Sequence, residues 1–118
     1  MSLLRRRKPE EAEAPDIPEA ADPTDGVIPI RDVEWRQRAK VAGRVRSIEV
    51  QPWAGVPTLK ATLVDDTGGL AVVFLGRREV AGVGPGTRMV VEGMVGDHGG
   101  RLAMLNPEYV LLATPSEV

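Results

Sequence analysis

The chain has no cysteine, one histidine and four aromatic side chains in 118 residues, and each shortage removes a class of function. Without cysteine there is no disulfide framework and no thiolate zinc site. His98 alone cannot build a metal cluster. The aromatic residues are Trp35, Trp53, Phe74 and Tyr109. So few rings argue against a single-strand binder built on several stacking platforms. No apolar run approaches the roughly 20 residues of a membrane helix. The basic start, Met1 to Lys8, has no apolar stretch behind it, so it does not read as a secretory signal, and a cytoplasmic location is expected. No Gly-x-x-x-x-Gly-Lys-Ser/Thr phosphate loop occurs. Serine is confined to Ser2, Ser47 and Ser116, so Asp97 and His98 have no nearby nucleophile. Gly82-Val-Gly-Pro-Gly86 has no helix after it, and Pro85 lacks a backbone donor, so it reads as a turn. Asp65-Asp66 before Thr-Gly-Gly reads as turn chemistry too. The expectation is a non-catalytic protein with no cofactor, no metal and no small-molecule substrate.

What is present is organised in two parts. Residues 1–26 carry four bases, Arg5 to Lys8, against seven acids, with prolines at 9, 15, 18 and 23. They offer little to bury, and they read as a disordered tail with a basic tip. The tip is either a solvated end or an electrostatic tether to nucleic acid. Residues 27–118 are near neutral, with eleven bases and ten acids. Within them Arg36, Arg38, Lys40, Arg44 and Arg46 form a run without an acid. A local basic stripe on a near-neutral domain can dock phosphates. Arginine outnumbers lysine twelve to three, so arginine richness alone is a weak signal.

The domain of residues 27–118 reads as all-β. After a lead-in at Ile28–Val33, strand 1 is expected over Arg38–Val50, with Val41, Gly43 and Val45 on one face. Its parity changes at Ser47-Ile48, as a β-bulge would cause, and Gly43 eases the bend. Gln51–Pro57 reads as a loop. Strand 2 follows at Thr58–Val64, then the turn Asp65–Gly69 and strand 3 at Leu70–Leu75. A short helical turn near Arg77–Ala81 precedes strand 4 at Thr87–Val95. Gly99-Gly100 gives a hairpin tip before strand 5 at Arg101–Leu105, and a last apolar piece spans Val110–Leu112. Strand 3 is apolar on both faces, so its outer side must be covered by the chain itself or by a protein partner.

Five strands with a break between the third and fourth suit a Greek-key barrel. The set Val41-x-Gly43-x-Val45, Leu63-x-Asp65-Asp-Thr-Gly68-x-Leu70, Phe74, Pro85-Gly-Thr-Arg88, Gly93-x-Val95 and Leu102-x-Met104-x-Asn-Pro-Glu-Tyr109 resembles the OB-fold nucleic-acid-binding family. That family includes tRNA anticodon-binding domains. More closely, the set resembles the wedge domain of RecG-type helicases, without their motor. The resemblance spans about residues 38–112. It implies a five-stranded OB-fold barrel whose open face and loops contact single-stranded or branched DNA. Leu75 and Val80 stand where a second stacking ring would be expected.

Nucleic-acid binding on such a scaffold needs cations for phosphates and flat rings for bases. The candidates are Lys40, Arg44, Arg46 and Lys60 on the outer faces of strands 1 and 2. Arg77 and Arg78 follow strand 3, and His98 and Arg101 flank the hairpin tip. Trp53 is the candidate stacking ring, whereas Trp35 and Phe74 read as packing residues. DNA is favoured over RNA, with a protein-interaction adaptor, docking through the outer side of strand 3, as the alternative.

Overall fold

A computed structural model describes residues 22–113. Six strands form one sheet: β1 (Arg38–Trp53), β2 (Val56–Val64), β3 (Gly69–Leu75), β4 (Arg88–His98), β5 (Arg101–Leu105) and β6 (Glu108–Leu112). Their order is β1-β2-β3-β5-β4-β6, and β1 also pairs with β4. That extra pairing closes five strands into a barrel, and a closed sheet exposes few free edges. β3 and β5 run parallel; the other pairs are antiparallel. β6 takes over the flank of β4 where β5 ends, after a corner at Asn106 with φ 48°. The Asn106 N–H donates to the Val73 carbonyl (2.7 Å), and its Oδ1 accepts from the Leu75 N–H (2.9 Å). Both bonds tie that corner to β3.

Alternation sorts the side chains. Val41, Val45, Leu59, Leu63, Val72, Met89, Val91, Val95 and Met104 are fully buried and fill the barrel. Phe74 belongs to the same core, where Tyr109 packs edge-on against it at 5.7 Å between ring centroids. At about 25 cal/mol per Å², burying such aliphatic side chains contributes about 1.5–3 kcal/mol apiece. The expected phase change in β1 occurs: Val45 opposes Leu63 but Ser47 opposes Thr62, so Arg46 is the extra residue of a bulge. Beyond it Ile48 turns back against the core. Gly43 has a steric reason. A Cβ there would lie 2.5 Å from the Val64 carbonyl oxygen, so the crossing of β1 over the end of β2 admits only glycine.

Two local expectations change. The one helical turn among the described residues is 3₁₀ and lies at Ile30–Asp32, in the lead-in, not near Arg77–Ala81. Between β3 and β4 the chain turns at Val80–Val83, and Gly82 and Gly86 have φ of 79° and 91°, which a helix cannot continue through. Gln51–Pro57 is not a loop. β1 and β2 run on to the pair Trp53–Val56, joined by Ala54 (φ 55°) and Gly55 (φ 79°), a two-residue turn with both residues left-handed. Pro52 faces Pro57 in the next, non-hydrogen-bonded pair, where the missing N–H groups would have pointed away from the hairpin. Residues 22–26 form a hydrogen-bonded turn, while the rest of the expected tail and its basic tip lie outside the described residues. No helix among the described residues is long and apolar enough to cross a membrane.

Candidate nucleic-acid interface

The outer face of β1, β2, β3 and β5 carries a groove of about 1110 Å³. Arg44, Arg46, Lys60 and Arg101 line it, with Thr62 and Ala71 on its floor. Their convergence follows from register. Arg44 lies opposite Val64, Lys60 opposite Val73, and Ala71 bridges Thr62 on β2 to Ala103 on β5. Arg101 is two residues before Ala103 and shares its face. The bulge at Arg46 aims that side chain outward as well, so two arginines issue from one short stretch of β1.

Charge in the groove is mostly uncompensated. Arg44, Arg46 and Arg101 make no ion pair among the described residues, and Lys60 approaches Glu49 at 3.9 Å. One carboxylate, Asp65, lies at the groove's end, and its oxygens are already engaged. Oδ2 accepts from the Ile30 N–H at 2.9 Å. Oδ1 accepts from the Thr67 N–H (2.7 Å), the Thr67 hydroxyl (2.6 Å) and the Gly68 N–H (3.0 Å). Desolvation acts to raise the Asp65 pKa, but these bonds outweigh it and hold the carboxyl below its ordinary value. Asp65 is therefore a clamp joining the lead-in to the β2–β3 turn, in line with the turn role read from the sequence.

Trp53 and His98 meet at the rim. Their ring centroids are 5.1 Å apart with planes at 84°. Trp53 ends β1 and His98 ends β4, four strand steps apart across β2, β3 and β5. In a flat sheet that path would measure at least about 19 Å. The face must therefore curl outward until the two hairpins touch. Side chains on the floor of so concave a face lose their water, and Val73 and Ala103 are fully buried although both point away from the barrel interior. Of the two coverings expected for the outer side of β3, the chain itself supplies much: Val73 is buried and Ala71 and Leu75 are half-buried.

Three of the candidate cations lie elsewhere. Lys40 faces the other flank, in a small cavity with Glu92, Glu108, Val90, Tyr109 and Val110. Arg38, beside it, approaches Glu92 at 3.6 Å and Glu108 at 3.9 Å. Arg77 and Arg78 are exposed beyond the far end of β3, past Gly76, and do not line the groove. Trp35, expected to pack, is 56% exposed, with the Arg36 guanidinium 4.3 Å from its ring centroid.

No family model matches the chain, and no curated protein does. Solved structures do. The OB domain of Ta0387 from Thermoplasma acidophilum superposes with a TM-score of 0.61 at 15% identity, over 75% of this chain and 88% of that one. RecG bound to a three-way DNA junction gives 0.57 at 16% identity, over 71% of this chain and 12% of RecG. The p204 HINb domain gives 0.58 at 13% identity, over 73% of this chain and 47% of that one. At such identities the likeness speaks for architecture alone, and with the closed five-strand order it gives the chain an OB fold.

Proposed function

We propose that this protein is a non-catalytic nucleic-acid-binding OB domain that holds a single unpaired strand, preferentially DNA, in the outer groove. The observation that carries this reading is the meeting of Arg44, Arg46, Lys60 and Arg101 along one groove, from three different strands. Cations spaced along a concave track suit a phosphate backbone. A face curled tightly enough to join Trp53 to His98 suits one strand better than a duplex. DNA is favoured because the RecG neighbour is bound to a DNA junction. Trp53, 40% exposed at the rim, would stack on a base, while the three arginines and Lys60 hold phosphates.

The test is fluorescence anisotropy with labelled single-stranded, duplex and forked DNA and single-stranded RNA over a salt series. Affinity should fall with salt and favour strands with unpaired bases. A flat, weak response on every substrate would overturn the reading. What favours a protein partner instead lies at β6, not β3. Among the described residues, Val110 and Leu111 are 50% and 42% exposed on a strand whose one partner is β4.

A further inference from the structure

We infer that Trp35 and Arg36 form a second nucleotide-binding platform beyond the groove, taking one unpaired base on the indole and its phosphate on the guanidinium. The inference rests on the nucleic-acid reading above and extends its track. Trp35 is the more exposed of the chain's two tryptophans, at 56%. It sits in a turn that is held rather than loose. The Glu34 N–H donates to Gln37 Oε1 (2.8 Å), and the Gln37 N–H donates to the Glu34 carbonyl (3.2 Å). The Arg36 N–H donates to the Val95 carbonyl, and the Val95 N–H to the Gln37 carbonyl, both at 2.9 Å. Arg36 is held at φ 67°, a left-handed conformation that costs a non-glycine residue free energy. A turn so pinned, displaying a large ring to water with a cation over one face, has no evident role in the barrel's packing.

Its position fits a continued track. Those bonds set Arg36 and Gln37 along one side of β4 at Val95, while Met104 of β5 pairs with Val95 on the other side. The turn is thus two strand spacings, about 10 Å, from β5. Arg101, which lines the groove, begins that strand and pairs with His98. A strand leaving the groove at Arg101 would cross the β4–β5 hairpin, past His98 and Asp97, and arrive at Trp35. The indole then offers its open face to a base, and Arg36 stands beside it for the adjoining phosphate.

The two tryptophans allow a direct test. In Trp53→Phe the remaining indole is Trp35, and in Trp35→Phe it is Trp53. Oligothymidylates of about 4 and about 16 nucleotides bracket the reach of one OB domain. The 16-mer should quench Trp35, and the 4-mer should leave it largely unchanged. Trp35→Ala should weaken the 16-mer by about fivefold or more while sparing the 4-mer, and Trp35→Tyr should recover part of the loss. Arg36→Gln should lower the salt slope for the 16-mer by about 0.7. Salt-dependent binding of the 16-mer with an unresponsive Trp35 and an unaffected Trp35→Ala would overturn this inference alone. Absence of salt-dependent binding to either oligomer would overturn it together with the groove reading.

Discussion

β1 presents cations on two flanks of the barrel, and they meet opposite fates. At its start, Arg38 and Lys40 face β4 and β6, where Glu92 and Glu108 stand close by. Past the crossing at Gly43, Arg44 and Arg46 open onto the groove and make no ion pair among the described residues. The same strand and the same residue types yield a neutralised flank and a charged one. Nearest neighbours in sequence therefore say little about which arginine is available to a phosphate. The carboxylates across the next strand decide it.

This contrast can be broken by experiment. The largest effect should come from the triple variant Arg44→Ala/Arg46→Ala/Arg101→Ala. Its single-strand salt slope should fall by about two against wild type, because each phosphate contact contributes about 0.7. Arg38→Ala/Lys40→Ala removes two positive charges as well, yet should change the slope by much less than one. The same loss per charge removed in the two variants would mean that net charge, not the groove, drives binding.

The crossing itself comes next. Gly43→Ala forces a methyl into the Val64 carbonyl, so chemical denaturation should find it destabilised by about 1–3 kcal/mol. A smaller step is expected at Asp65, the clamp at the groove's end. Asp65→Asn should lose about 1–2 kcal/mol, since it removes charge from four hydrogen bonds and gives one oxygen position to a donor. The pH dependence has a definite sign. A carboxyl whose folded pKa lies below its unfolded value of 3.8 stabilises the fold fully above 3.8, and that contribution vanishes as pH falls through the folded value. Urea midpoints for wild type and Asp65→Asn should therefore converge below pH 3.8 and separate above it. The smallest effect concerns the hairpin tip. Ala54 at φ 55° is a poor residue for that turn, so Ala54→Gly or Ala54→Asn should raise stability by up to about 1 kcal/mol. Unchanged strand affinity in that variant would separate turn strain from binding.

Much of the barrel is legible in the residues. Period-two alternation gives β2, β3 and β5 to within two residues, and the broken parity at Ser47-Ile48 gives the bulge. The hairpin tip is obscured by Pro52 and Pro57, which read as loop signals. Ala54-Gly55 between alternating residues is the cue that outweighs them. The helical turn is misplaced because polar Arg77-Arg78-Glu79 suits a helix locally, while Gly82, Gly84 and Gly86 stop one. Legibility falls off for the candidate site. The outward parity of Arg44, Lys60 and Arg101 is readable strand by strand, but the placement of Arg38 and Lys40 beside Glu92 and Glu108 is not, because those carboxylates are distant in sequence. Nor does any local pattern encode the curl that joins Trp53 to His98. That the lead-in leaves Trp35 in water is equally non-local, since it depends on the bond between Arg36 and Val95.

The single extra residue at Arg46 has a consequence for how this molecule could vary. Ahead of it, β1 is committed to β4 and the barrel wall; after it, β1 answers only to β2. Because strand phase repeats every two residues, matched insertions at the tip, two residues on each side between Trp53 and Val56, would leave Ile48 and Ala61 in place. The tip can thus be lengthened on its own, altering how far the hairpin overhangs the face while the closed wall beneath keeps its dimensions.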